Sequence, residues 1–205
     1  SQPGTLLLDE PFAALDAGGC ALVHAVLADF VQAGGAVLFS SHEPQQIAAL
    51  AEMARGVWHE YFPPLLPEGQ IDYMVERFQS EPALARQISE EGYSYFFICE
   101  GKVPVGYTGV RPDGGKLFLS KLYLTKGARG KGYAGETFRF LEERCRQLGL
   151  HALWLTVNRH NGHAIAVYQR KGLRTVRTQV TDIGHGYVMD DYVMEKEIPS
   201  VQTEQ

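Results

Sequence analysis

The chain has few cysteines: Cys20, Cys99 and Cys145, odd in number and scattered. That excludes a disulfide scaffold, fits a reducing compartment and shows no metal-ligand spacing. No apolar run approaches the length needed to span a membrane, and no leader-like segment is visible, so the expectation is a cytoplasmic protein without a membrane span. Positive charge is also scarce. Nineteen Lys and Arg stand against twenty-four Asp and Glu, a formal net charge of −5. A general nucleic-acid binder would want a basic face, so nucleic acid is not an expected partner. Internal repeats and low-complexity tracts are missing. So is any G-x-x-x-x-G-K-[ST] string, the loop whose backbone N–H groups and lysine hold nucleotide phosphates.

What is present is the composition of a globular chain. Of 205 residues, 45% are hydrophobic and 21% charged, enough for one ordinary domain plus a fragment. The N-terminus reads LLLDEPFAALD. Leu6, Leu7 and Leu8 suit a buried parallel strand, and Asp9 and Glu10 at its end suit a metal ion and a polarised water. Asp16 is placed to cap a helix from about Ala17 to Gln32, and a second apolar strand from Ala36 leads to His42. This order resembles the second half of an ABC-transporter ATPase: Walker B (Asp9, Glu10), D-loop (Asp16) and switch histidine (His42). The phosphate loop and the LSGGQ signature of that family are absent. Two readings follow: an ATPase half-domain completed by another chain, or a fusion remnant folding as a strand–helix appendage. The missing loop favours the remnant.

Beyond it, helices are expected at Pro44 to about His59, Gln70–Gln79 and from Ser80 to about Glu91, with the proline-rich YFPPLLPEG as a loop. Three antiparallel strands are expected near Tyr95–Glu100, Val103–Arg111 and Lys116–Leu124. A glycine-rich basic loop then leads into a helix from about Tyr133 to Leu148. Strand, glycine loop and helix amino end make an anion site, where free N–H groups and the positive end of the helix dipole converge. Gly130 and Gly132 let a phosphate approach the backbone, and Arg129 and Lys131 add charge. A strand at His151–Val157 follows. Asn161, Ala164, Tyr168 and Gly172 then fall at offsets that line one face of a helix. The stretch Gly184–Ile198 reads as the last hairpin strands, with Asp190 and Asp191 in a solvated bulge or turn or facing a cationic acceptor. His160 and His163 lack a third ligand nearby and read as surface histidines, so no metal is expected.

The two glycine-bearing strings resemble the GNAT (GCN5-related) N-acetyltransferases. The [RQ]-x-x-G-x-[GA] loop of that family is met by Arg129, Gly132 and Ala134, and its N-x-x-A-x-x-x-Y-x-x-x-G pattern by Asn161, Ala164, Tyr168 and Gly172. The likeness implies an α/β fold, a mixed and mostly antiparallel sheet flanked by helices. Its bounds would be a GNAT domain at 36–200 after an ATPase-like fragment at 1–35, with a tail at 201–205. It implies acetyl-CoA as co-substrate and transfer of the acetyl group to a small-molecule primary amine, such as a polyamine, by direct attack in a ternary complex. Backbone groups of Leu122, Tyr123 and Leu124 would hold the pantetheine arm. N–H groups from Gly130 through Lys131, Gly132, Tyr133, Ala134 and Gly135 would hold the pyrophosphate, and Asn161 would bond the cofactor arm. Tyr168 would protonate the departing thiolate. The general base stays open between His59, Glu60 and a water chain. A homodimer is compatible with all this. The rival to catalysis is an acyl-CoA-binding module without turnover.

Overall fold

In the computed structural model the described residues are 5–8, 36–39, 44–101 and 103–199. Asp9, Glu10, Asp16 and His42 lie outside them.

Eight strands form one sheet: β1 (Thr5–Leu8), β2 (Ala36–Phe39), β3 (Ser94–Glu100), β4 (Val103–Asp113), β5 (Lys116–Leu124), β6 (Ala152–Asn158), β7 (Arg174–Gly184) and β8 (Tyr187–Glu197). Their spatial order is β1-β2-β3-β4-β5-β6-β8-β7. Strands β1 and β2 pair in parallel, and so do β5 and β6; the other neighbours are antiparallel. Helices α1 (Pro44–Tyr61), α2 (Glu68–Gln79) and α3 (Glu81–Ser89) precede β3, while α4 (Tyr133–Gln147) and α5 (Gly162–Arg170) flank β6 in the chain. The mixed, mostly antiparallel sheet agrees with the sequence expectation.

Strand β3 shows how one element serves two cores. Its alternation sends Phe96 to the cluster built with Phe138, Leu141 and Cys145 of α4. Tyr95, Phe97 and Cys99 go to the opposite face, against Leu50 and Ala54 of α1 and Leu84 of α3. Period 2 in the strand and period 3.6 in the helix decide both assignments. Helix α1 buries Leu50, Ala54, Val57 and Trp58, one stripe at helical spacing. Fully burying a side chain such as Leu50 contributes roughly 1.5–3 kcal/mol.

A bulge in β5 sets the site. Gly109 pairs with Lys121, but Val110 pairs with Leu119, so Ser120 is the extra residue. Before it, Leu117 and Leu119 face the α4 core. After it, Leu122 takes that face, and Lys121 and Tyr123 turn to the side of α1–α3. One inserted residue therefore exchanges the two faces of the strand.

The closing hairpin departs from the expected Gly184–Ile198. It begins at Arg174, and β7 pairs with β8 around a two-residue turn, His185–Gly186. Both turn residues have positive φ, +54° and +78°, the backbone a tight hairpin demands. Strand β7 is exposed along most of its length, so RTVRTQVTDIG has no apolar alternation to announce it. Asp190 and Asp191 consequently lie inside β8 rather than in a bulge or turn. Among the described residues no helix is long and apolar enough to cross a membrane.

Candidate active site

Strands β5 and β6 pair only from Lys116↔Ala152 to Leu119↔Leu155. Past the bulge they part, and a wedge opens between Ser120–Leu124 and Thr156–Asn158. Backbone groups alternate sides along a strand. The N–H of Thr125 donates to the Val105 carbonyl at 2.9 Å, and the Tyr123 carbonyl lies against Gly106. Tyr123 thus points its backbone at β4, and the groups facing the wedge belong to Leu122 and Leu124. The Leu124 carbonyl accepts from Arg129 Nε at 3.1 Å. Of the three strand residues expected to hold a cofactor arm, Leu122 alone keeps its carbonyl free of these contacts on the open side.

Two cavities meet at this wedge. The smaller, about 120 Å³, is lined by Leu122, Leu124, Arg129, Ala134, Ala164 and Val167 among others. The larger, about 440 Å³, lies on the side of α1–α3 and is mainly aromatic and apolar, with Trp58, Phe62, Phe78, Phe118 and Trp154 in its wall. Leu122, Tyr123, Asn161 and Tyr168 line both. The strand residues and the Asn-x-x-Ala-x-x-x-Tyr stripe thus come together at one partition.

Beside the smaller cavity, Gly132 is the N-cap of α4 with φ +94°, and no side chain caps the helix. The N–H groups of Gly135 and Glu136 return to the Gly132 carbonyl, at 2.8 and 3.2 Å. Those of the residues before Gly135 have no intrahelical acceptor. A Cβ on Gly130 or Gly132 would meet nothing within 4 Å, so the loop faces open space. A Cβ on Gly135 would stand 2.9 Å from Lys171 Nζ. The Lys171 ammonium therefore sits over the first turn of α4, a cation the sequence reading missed. Uncapped N–H groups, the positive helix end and a lysine together fit a pyrophosphate. Lys131, by contrast, is engaged with Glu100 at 3.1 Å. Tyr133 is held with its phenol raised by burial and by its bond to Glu100.

Asn161 is used twice. Its Oδ1 accepts the Ala164 N–H at 3.2 Å as the N-cap of α5, and the Tyr61 hydroxyl at 3.0 Å. What it can still offer a ligand is its amide N–H pair. Gly172 ends α5 in the left-handed region, φ +88°. The N–H groups of Gly172 and Leu173 return to Gln169 and Tyr168 at 2.9 and 3.1 Å, a Schellman cap. That cap fixes Tyr168, whose ring packs edge-on against Phe138 at 5.9 Å. Its remaining surface faces the cavities. Burial, then the neighbouring Tyr61, pushes its phenol up to about 12.

The two base candidates from α1 are occupied elsewhere. His59 donates from Nδ1 to the Arg55 carbonyl at 2.8 Å and meets Asp72 through Nε2 at 2.8 Å. These bonds raise its pKa, chiefly through Asp72, and His59 lines neither cavity at the wedge. Glu60 makes a two-pronged ion pair with Arg129, at 3.1 and 2.5 Å, which lowers its pKa. Arg129 also covers the Tyr61 ring at 4.8 Å. Glu60 and Arg129 thus brace the loop against α1.

Asp191, one of whose two expected placements faced a cationic acceptor, and Lys121, which was not a site candidate, both line the larger cavity. Asp191 is 3% exposed, and its Oδ1 has no hydrogen-bond partner. Burial, then Asp190, raises its carboxyl to about 6. Lys121 is 6% exposed, and burial lowers its ammonium to about 7. The sequence left the direction of both undecided, because the bulge and the hairpin register aim them. Among the described residues no cluster of three His, Cys, Asp or Glu could hold a metal.

Residues 50–173 match the model of the acetyltransferase (GNAT) family. An uncharacterized N-acetyltransferase of Mycobacterium tuberculosis (strain ATCC 25618 / H37Rv) is 32% identical over 150 residues, 73% of this chain and 96% of that protein. Another, from the pepI 3' region of Lactobacillus delbrueckii subsp. lactis, is 28% identical over 127 residues, 58% of this chain and 72% of it. Among solved structures, the paia N-acetyltransferase of Thermoplasma acidophilum, in complex with coenzyme A, superposes with a TM-score of 0.64. At 19% identity, over 78% of this chain and 98% of that one, it shows the shared fold. The ABC-transporter ATPase resemblance finds no support in these comparisons.

Proposed function

The chain belongs to the GNAT acetyltransferase family, and on that premise we propose that it moves the acetyl group of acetyl-CoA to a primary amine of a small molecule by direct attack in a ternary complex. One observation carries this reading. A glycine loop with an uncapped helix end and a cavity with an unpartnered buried carboxylate lie on either side of Tyr168.

Acetyl-CoA supplies an activated acyl carbonyl and a thiolate able to leave. The N–H groups of the loop at Gly130–Gly135 and the Lys171 ammonium bind its pyrophosphate. Leu122 offers wedge-facing backbone to the pantetheine arm as an added strand would. Asp191 takes a proton from the acceptor ammonium and frees the nitrogen lone pair. A carboxylate at about 6 is ionised at neutral pH yet closer to the amine than an ordinary aspartate, which helps proton transfer. Tyr168 stays protonated throughout the neutral range and gives its proton to the departing sulfur. A polyamine would find Asp191 within the cavity and Glu91 at its wall, although Lys121 opposes a second cation there.

Thermal melting and thiol release test the reading together. Acetyl-CoA at 100 times its dissociation constant is expected to stabilise the protein by about 2.7 kcal/mol. Tyr168→Phe is expected to cut turnover by about 10²–10⁴-fold while melting still responds to acetyl-CoA. Unchanged turnover at neutral pH would make Tyr168 a packing residue only.

A further inference from the structure

Lys121 has no task in the reaction above. We propose that it binds a carboxylate carried by the acceptor, so that the substrate is a small amino acid-like molecule with its reacting amine at Asp191 and its carboxylate at Lys121. This rests on the acyl-transfer reading of the same site.

The side chain is built into the cavity wall. The bulge at Ser120 turns it away from the apolar core of α4 and into the larger cavity. Its Nζ donates to Gln87 Oε1 at 3.0 Å, an oxygen that also accepts the Tyr95 hydroxyl, and to Ser120 Oγ at 3.3 Å. The rings of Tyr93 and Tyr95 lie 5.0 and 5.3 Å away. These contacts orient an ammonium and partly solvate it, but none carries a negative charge. Among the described residues no carboxylate comes within ion-pair distance of it. Glu91, the charge that acts on it most, is 40% exposed and paired with Arg86 at 3.2 Å. A methionine would fill the same space without the cost of burying an amine.

Asp191 is the complementary half. No ion pair joins it to Lys121 among the described residues, so the two buried groups are not held as an internal pair. Asp191 acts on Tyr123, one of the four residues that line both cavities. Lys121 lies two residues back along β5, about 7 Å at strand rise. Lys121 and Asp191 both line the larger cavity, whose wall also includes the apolar Phe118, Trp154 and Ile183. A zwitterion with an apolar body satisfies both ends. A diamine would bring a second positive charge to Lys121.

The test uses the full chain, saturating acetyl-CoA and three matched probes: a length series of α,ω-amino acids, their methyl esters and the diamines of equal length. Charge-assisted hydrogen bonding predicts kcat/KM for the best acid about 10- to 100-fold above its ester and its diamine. In Lys121→Met the acid-to-ester ratio should fall to about one, and Lys121→Arg should restore part of it. Melting with acetyl-CoA checks that each variant is folded and binds the co-substrate. If esters or diamines serve wild-type protein as well as the acids, or if the ratio survives Lys121→Met, the proposal fails. It also fails if acetyl-CoA binds but no acid is acetylated or raises the melting temperature of the complex. A protein that neither binds acetyl-CoA nor releases thiol would instead sink the acyl-transfer reading itself.

Discussion

Among the described residues Asp191 is a buried acid with no ion-pair partner. Carboxylates such as Glu60 and Glu195 are paired with Arg129 and Lys116. The Oδ1 of Asp191 is buried and bare. A base must be ionised to work, so kcat/KM should rise as pH passes upward through about 6. Asp191→Asn should lose that limb and about 10²–10⁴-fold in kcat/KM. A profile whose acid limb persists in the variant would move the base elsewhere. The motif residues were legible in the sequence because each acts locally: Gly132 opens a helix, Asn161 caps one and Gly172 closes one. Asp191 was legible only as one of two alternatives and Lys121 not as a site residue, since their direction depends on a bulge and on pairing between distant strands. The partners of His59 and Glu60 were hidden for the same reason. Their partners Asp72 and Arg129 stand 13 and 69 residues away.

Among the elements, helices were the easier to read. The stripe Leu50, Ala54, Val57, Trp58 announces α1, and Pro82 near the start of α3 marks its first turn. Strand β7 escaped because a strand exposed on both faces leaves no period in its sequence. The N-terminal strands invite a direct experiment. Strand β2 pairs with β3 at Leu38↔Ile98 and Phe39↔Phe97, and β1 pairs with β2 on its far side. Removing residues 1–35 is expected to leave a folded protein that binds acetyl-CoA, with β2 as the new edge. Removing residues 1–42 bares the edge of β3, with loss of melting temperature and a gain in aggregation. Equal melting of the two truncated proteins would show that β2 does not belong with the sheet, and collapse of the shorter deletion would make β1 integral.

For the whole molecule, the mixed sheet could be anticipated from a family likeness, but the wedge could not be read from the residues themselves. It arises where a parallel pair, β5 and β6, stops after four residues while each strand keeps its other neighbour. Such long-range pairing leaves no local pattern. Among the described residues neither Asp191 nor Lys121 has an ion-pair partner, and their proton linkage reaches the stability of the fold. Asp191 titrates higher folded than unfolded. Between about pH 4 and 6 the native state therefore holds more protons, and stability falls as pH rises. Lys121 titrates lower folded than unfolded. Between about pH 7 and 10.5 the unfolded state holds more protons, and stability climbs again. The share of stability due to these two groups is thus least between about pH 6 and 7, and a melting curve followed across pH should show that trough. Asp191→Asn should remove its acid side and Lys121→Met its alkaline side. Near neutrality, then, the free enzyme is strained by its own cavity, and an acceptor bearing the opposite charges would relieve that strain as it binds.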